Sequence, residues 1–548
     1  MKRWHHTFVL TVVLVCCGCR GKSRTPDEHV LVASATLTST WVRNFNPFSA
    51  NALWPTQAGI YEPLMIYNTL TGQFVPWLAT SYEWETPGKV LTFHIRSGVK
   101  WNDGTAFTVE DVAFTFELLR TYPALDTGAV WSKLAHYSVI GENQISFTLK
   151  QIDFTTLPFL AHQMIVQKAQ WSSIADPVKF TNETPIGTGP YTEVETFRTQ
   201  LFELGRNPHY WQQDAHLAKK LRMPAYAGND TVSLALVSGE IDWAGHTLPR
   251  IDQTYVARDP KHFGYWFPPF GGMVFLFANT TRSPFDDVRV RKAISHAINR
   301  ERLVNIGMSG YTQPAPGSGL SPTYAKWYCC QDQPEGPTRF DPQKTIELLN
   351  AAGCTQNDGA WYCDDKQLDL TLEVVNGWTD WIRTAQLIAS DLGKIGIQIR
   401  VKTLDFGAWF DHVQRGSFDL SIGWSNEGLT PYEFYRDLTS SETRKPVGTA
   451  SPVNWHRYAD STFDGLLEAF PRTPEGPEQK KIVNQLQREF SRQLPAIPLF
   501  PNPSWGTYST RYFTGFPNAD APYAKLSPHA NPERLLLMTR VKPRGNHQ

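Results

Sequence analysis

PWLATSYEWETPGKVLTFHIRSGVKWNDGTAFTVEDVAFTFELL, Pro76 to Leu119, holds a strand, a tight turn and a helix in immediate succession. Within it VLTFHIR, Val90 to Arg96, alternates apolar and polar residues as a half-buried strand does. In GVKWNDG, the turn formers Asn102, Asp103 and Gly104 predict a tight turn with Trp101 packed beneath it, not a polar pocket. Thr108, followed three residues later by Asp111, is a helix-capping pair, because each side chain can satisfy a backbone N–H at the start of a helix. Val112, Phe116 and Leu119 then recur at helical spacing, so the segment predicts an amphipathic helix. QISFTLK, Gln144 to Lys150, alternates again.

Further along, the pattern stays mixed. DDVRVRKAISHAINRERL places Val288, Val290, Ala293, Ile294, Ala297, Ile298 and Leu303 on one broad face, with Asp286 as the expected cap. TDWIRTAQLIASDLGKIG predicts a helix capped by Thr379 with a Gly393/Gly396 exit, leading directly into the alternating strand IQIRVKTL. Helix, short turn and strand in this order form an α/β layer. The sequence has no internal repeat, heptad run or low-complexity tract, which removes solenoids and fibres.

Composition narrows the function. The 548 residues include 41% hydrophobic and 13% aromatic residues, enough for a large core of two to four globular units. Lysine plus arginine (52) balance aspartate plus glutamate (52). A net charge of zero argues against nucleic acid, whose phosphates require a basic surface, and against a polyanionic ligand.

At the N-terminus, Lys2 and Arg3 precede an apolar run from Phe8 to Val15 and then Cys16, Cys17 and Cys19. The run is far shorter than the roughly 20 residues that span a bilayer, so it reads as a secretory signal. Gly18 before Cys19 fits a lipoprotein signal, in which the cysteine receives a lipid and becomes the new N-terminus; Cys17 is the alternative, since it sets Leu14 three residues upstream. Residues 20–29 are polar and are expected to form a solvated tether. Export permits disulfides. Cys354 and Cys363 flank TQNDGAWY, where Asn357, Asp358 and Gly359 form a hairpin signal, so a cross-hairpin disulfide is expected. A zinc site is its rival, weakened because the Cys329-Cys330 pair supplies no C-x-x-C knuckle.

Four separated segments together resemble family 5 of the extracellular solute-binding proteins, the dipeptide, oligopeptide, nickel and oligosaccharide receptors of ABC importers. They are Pro76 to Leu119, TGPY (Thr188 to Tyr191), PFDDVRVRKAISHAINR (Pro284 to Arg300) and AIPLF (Ala496 to Phe500). The resemblance implies an α/β chain with the type II periplasmic-binding-protein fold (cluster C): two lobes joined by a hinge, plus an extra small domain. The implied divisions are a signal peptide at 1–19, the tether, and domain I at 30–75, 187–279 and 497–548. Domain II is expected at 76–186 and domain III at 280–496. Ligand would sit between the lobes, which close on it by hinge motion. The implied partners are a small-molecule ligand, the ABC permease subunits and, through the lipid anchor, the membrane; a monomer with no cofactor or metal is expected.

Candidate ligand contacts are aromatic residues beside turns or helix starts, where an indole can stack on a sugar face or a ligand side chain and donate its N–H. Trp54, Trp378, Trp381 and Trp424 are so placed, although with 19 tryptophans in the chain most must be structural. In peptide-binding members of the resembled family, an acidic residue three positions after such a tryptophan pairs with the ligand's amino group. Gly423-Trp424-Ser425-Asn426-Glu427 puts Glu427 there, with Asn426 beside it, but glutamate is longer than the usual aspartate and Gly428 to Pro431 depart from the pattern. NPFSANALWPT, NGWTDW and TPYEFYRDL are instead similar to the oligosaccharide branch, of which cello-oligosaccharide receptors are examples. Neutral oligosaccharide is therefore the leading expectation and short peptide the alternative. Nickel fits poorly, as the 15 histidines show no ligand spacing; His136 and His162 read as ordinary surface or core residues. No catalytic residue is expected: neither a G-x-S-x-G elbow nor an H-E-x-x-H motif occurs, although glycosidase carboxylates carry no sequence spacing that would exclude them. A sensory receptor is a further alternative.

Overall fold

The computed structural model describes residues 29–215, 217–267, 270–329 and 336–545. The expected signal peptide, both candidate lipidation cysteines, nearly all of the tether and Cys330 lie outside them.

The signature segment folds as its pattern requires. Val90–Ile95 and Gln144–Leu149 pair antiparallel within a four-stranded sheet completed by Ala79–Thr86 and Leu134–Ile140. Thr108 caps the helix Val109–Thr121, and Asp111 accepts the Thr108 backbone N–H at 2.9 Å. Trp101 is fully buried below the turn, its indole N–H directed at Asp111. This small domain shares a continuous core with the first lobe.

That lobe is built on a seven-stranded sheet assembled from distant parts of the chain. In spatial order its strands are Phe263–Tyr265, Thr507–Ser509, Trp243–Ala244, Val30–Ser34, Lys220–Pro224, Leu201–Arg206 and Tyr191–Arg198. Next to the TGPY segment, Gly187 O accepts the Asn102 N–H of the small domain at 3.1 Å. Gly189 donates its N–H to the Ile60 carbonyl at 2.9 Å and passes so close that a Cβ would lie 2.2 Å from the Gly59 carbonyl oxygen. Only glycine fits at that spacing. Beside it the buried Glu62 carboxylate accepts from Trp77 Nε1 (2.7 Å), Trp211 Nε1 (3.0 Å) and the Tyr210 hydroxyl (3.1 Å), and burial pushes its pKa up to about 7.

The second lobe carries a five-stranded sheet in the order Gln398–Leu404, Asp369–Val375, Leu420–Trp424, Phe270–Ala278, Ile497–Pro503. Strand periodicity splits its core in two. Val274, Leu276 and Ala278 face a layer that includes the helices Val288–Ala297 and Thr379–Gly393. Met273, Phe275 and Phe277 face a layer that includes Pro431–Thr439, Ser461–Arg472 and Pro477–Gln493. Both faces are thus apolar, and each large side chain buried contributes about 1.5–3 kcal/mol.

Several expectations need correction. The strands Phe270–Ala278 and Ile497–Pro503 hydrogen-bond into the second lobe's sheet, so that lobe begins before 280 and ends after 496. Sheet membership is decided by backbone pairing, which the motifs on either side do not encode. The cap of helix Val288–Ala297 is Asp287, whose carboxylate accepts from the Arg289 N–H at 2.7 Å; Asp286 is one residue too early. Ile298 and Leu303 lie beyond that helix, in its C-cap and in the turn that follows. Trp378 occupies the N-cap of the helix Thr379–Gly393, and Thr379 is its first residue. Cys354 and Cys363 are disulfide-bonded across the hairpin, whose two-residue turn is Asp358-Gly359, both with positive φ (47° and 79°).

The lobes are in contact. Asn229 of the first lobe donates its backbone N–H to Gly377 O at 3.0 Å and its side-chain amide to Asp380 Oδ1 at 3.2 Å in the second. Phe154 of the small domain donates to Pro471 O at 2.8 Å. Between these contacts lies a cleft.

Candidate functional site

A cavity of about 550 Å³ occupies the cleft where the three domains meet. The first lobe contributes Gln57, Lys525 and the segment His529 to Glu533; the small domain contributes Thr127, Phe159, His162 and Gln163; the second lobe contributes Trp424 to Leu429.

The second-lobe wall begins where the strand Leu420–Trp424 ends. Ser425 closes the ladder, exchanging hydrogen bonds with Met273: its N–H reaches Met273 O at 2.9 Å and its Oγ accepts from Met273 N at 2.9 Å. The loop is then pinned at Gly428, whose N–H donates to the Tyr324 hydroxyl at 2.8 Å. Thr430 starts the next helix in a capping box with Glu433, and Pro431 occupies its first turn. Trp424, Asn426 and Glu427 are thereby held at the cavity by fixed backbone on both sides. Asn426 donates to Asp437 Oδ2 at 2.8 Å.

Trp424 is the half-buried member of an aromatic cluster that reaches the cavity. Its ring lies 5.3 Å from Trp409 and 5.3 Å from Trp455, with Trp378 at 6.1 Å and Trp381 at 6.2 Å. The other three candidate tryptophans are not part of the cavity wall. Trp381 is 3% exposed and belongs to the second-lobe core. Trp378 packs edge-on against it at 4.9 Å. Trp54 supports the first-lobe wall from behind, giving its N–H to Pro528 O at 2.8 Å while its ring packs on Trp243. Position beside a turn selected all four, but only tertiary packing separates a wall residue from its support.

The carboxylates, the lysine and the histidines of the wall each have a protein partner. Glu427 Oε2 meets Lys525 Nζ at 2.9 Å, a pair that joins the second lobe to the first. Burial works to lower the Lys525 pKa, but the carboxylates of Glu427 and Glu533 outweigh it and hold the ammonium above the usual lysine value. Glu533 accepts from the Thr69 hydroxyl at 2.7 Å and from the Lys525 backbone N–H at 2.9 Å. Glu433 is engaged by Thr430, and burial raises its pKa. His162 Nε2 accepts the Tyr67 N–H at 3.2 Å, and burial lowers its pKa to about 4, so it is neutral at pH 7. His529 is placed with its ring nitrogen 3.1 Å from Gly245 O. Sequence reasoning missed Lys525, Glu533 and the wall position of His162; none sits in a turn or periodic pattern that marks it. Among the described residues, no group of three or more His, Cys, Asp or Glu side chains is placed to hold a metal, and no helix is long and apolar enough to cross a membrane.

Comparison with known proteins agrees with this architecture. The chain is 25% identical over 471 residues to di/tripeptide-binding protein 1 of Pseudomonas aeruginosa (strain UCBPP-PA14), covering 79% of this chain and 83% of that protein. It is 27% identical over 414 residues to the nickel-binding periplasmic protein of Escherichia coli (strain K12), covering 71% and 74%. A crystal structure of a mannohexaose-bound periplasmic oligopeptide-binding protein of an ABC transporter from Thermotoga maritima superposes with a TM-score of 0.87 at 25% identity, covering 95% of this chain and 99% of that one. All three are named as binding proteins, two of them as periplasmic and one of them as part of an ABC transporter. The pattern of the bacterial extracellular solute-binding proteins, family 5, matches residues 73–446, more than half the chain, and the chain belongs to that family.

Proposed function

We propose that the protein is the extracytoplasmic, lipid-anchored receptor of an ABC importer and that its cargo is a neutral oligosaccharide. The observation that carries the cargo is that Glu427 is ion-paired to Lys525 while Glu433 and Glu533 are held by hydroxyl and backbone donors beside the Trp424 ring: an indole surface with amide and hydroxyl groups suits a polyhydroxylated, uncharged ligand. The mannohexaose bound in the Thermotoga maritima protein supports this reading. Lipidation at Cys19, with Cys17 as the alternative, supplies the anchor.

Short peptide is the second reading, favoured by Glu427 at the cleft and by the di/tripeptide-binding relative. A thermal-shift screen of the mature protein against neutral β-linked hexaoses, mannohexaose and tripeptides separates the two, because a ligand that binds only the folded state raises Tm by mass action. Stabilisation by a hexaose and none by peptide is expected; the reverse pattern would transfer the cargo to peptide. Mass spectrometry of the membrane-extracted N-terminus, with Cys19→Ala and Cys17→Ala compared, tests the anchor.

A further inference from the structure

We propose that Lys525 is a specificity-determining residue: it fills, from within the chain, the place that a ligand's ammonium group would take against Glu427. The inference deepens the neutral-cargo reading and rests on it. Glu427 is presented to the cavity with 35% of its side chain accessible, whereas the Lys525 side chain is 6% accessible. The glutamate's Oε1 lies over Gly271, where a Cβ would come within 2.7 Å of it, and its Oε2 faces Lys525. The lysine is fixed from its own lobe. Its backbone N–H is held by Glu533, and Glu533 is held by the Thr69 hydroxyl. The two partners come from opposite lobes, so the pair exists only when the cleft is closed.

The consequence is discrimination. An incoming primary amine meets a Glu427 carboxylate whose charge Lys525 already offsets, and displacing the lysine would leave a buried ammonium without that partner, which is costly. A hydroxyl-bearing ligand displaces nothing. Removing the lysine's charge reverses the balance, because the Glu427 carboxylate then faces the closed cavity uncompensated and an ammonium is the group that satisfies it.

Calorimetric titration of the mature protein with trialanine, N-acetyl-trialanine, trialanine amide and mannohexaose tests this. Wild type and Lys525→Arg are expected to show no preference for the free amine over its acetylated form. Lys525→Met is expected to prefer free trialanine over N-acetyl-trialanine by about tenfold to a hundredfold, the worth of a charge-assisted hydrogen bond. The double variant Glu427→Gln/Lys525→Met should lose that preference. Glu427→Gln alone, which strands the lysine, should favour trialanine over trialanine amide, and it serves as the reciprocal test where Lys525→Met fails to fold. A wild type that already prefers the free amine by about tenfold or more, or folded single variants with no shift in preference, overturns the proposal. Failure of wild type to bind mannohexaose or other neutral oligosaccharides refutes the cargo reading alone, since the ratio of free to acetylated peptide in Lys525→Met still reads out the role of Lys525.

Discussion

Trp424 and Trp381 are both tryptophans beside a turn or helix start, yet they divide into wall and core. Trp424→Ala removes the aromatic surface from the cavity, and oligosaccharide affinity is expected to fall by about tenfold or more, to be measured by calorimetry. Trp381→Leu instead hollows the second-lobe core. It is expected to lower Tm through a cost of about 2–4 kcal/mol while the affinity of the folded fraction stays near wild type. Comparing melting curves with binding isotherms for the two variants distinguishes them. Glu427 was legible as a candidate because the family resemblance places an acidic residue three positions after such a tryptophan, and that spacing is local. Its counter-ion was not, because Lys525 stands 98 residues away and reaches it from the other lobe.

At the scale of elements, the hairpin Thr355–Cys363 and the helix Thr379–Gly393 show how far local chemistry reaches. An Asp-Gly turn between short strands brings Cys354 and Cys363, nine positions apart, into a bond. Cys354→Ser/Cys363→Ser is expected to destabilise the second lobe by about 2–3 kcal/mol through the loop entropy returned to the unfolded chain, read as a drop in the denaturation midpoint that wild type reproduces under reductant. The helix start carries Asp380, whose pKa burial raises from 3.8 to about 6. A carboxyl with a raised folded pKa is protonated more readily in the native state, so its contribution to stability is greatest below pH 4 and is lost as pH rises to about 6. Across that window Asp380 alone removes roughly 3 kcal/mol. Asp380→Asn is expected to cancel this component, and the difference between wild-type and variant Tm plotted from pH 4 to pH 7 checks its sign.

For the whole molecule, closure depends on surfaces that no single lobe needs. Gly228 of the first lobe meets Gly377 of the second so closely that a Cβ on Gly228 would lie 3.1 Å from the Gly377 Cα. Gly228 is in extended backbone (φ −172°), which any residue adopts, so Gly228→Val burdens the closed form, with a smaller cost to its own lobe because valine is a poorer N-cap than glycine for the helix Asn229–Ser238. Apparent affinity falls in proportion to the fraction of molecules able to close, and a loss of about tenfold is expected. Small-angle scattering should show a larger radius of gyration than wild type at saturating ligand; an unchanged radius and affinity would place the lobes' closing surface elsewhere.

What the sequence determined by itself was everything carried by short-range pattern: the strand-turn-helix of Pro76 to Leu119, the capping box at Thr108, and the Asp358-Gly359 hairpin and its cysteines. These follow from alternation, helical spacing and turn chemistry within a few residues. The tertiary structure alone decided that the strands 270–278 and 497–503 join the second lobe, that Trp54, Trp378 and Trp381 stand behind the wall, and that the acidic group at the cleft faces a lysine from the opposite lobe. Those outcomes depend on sheet pairing and side-chain packing between segments tens to hundreds of residues apart, and the site lies between lobes where no local pattern extends.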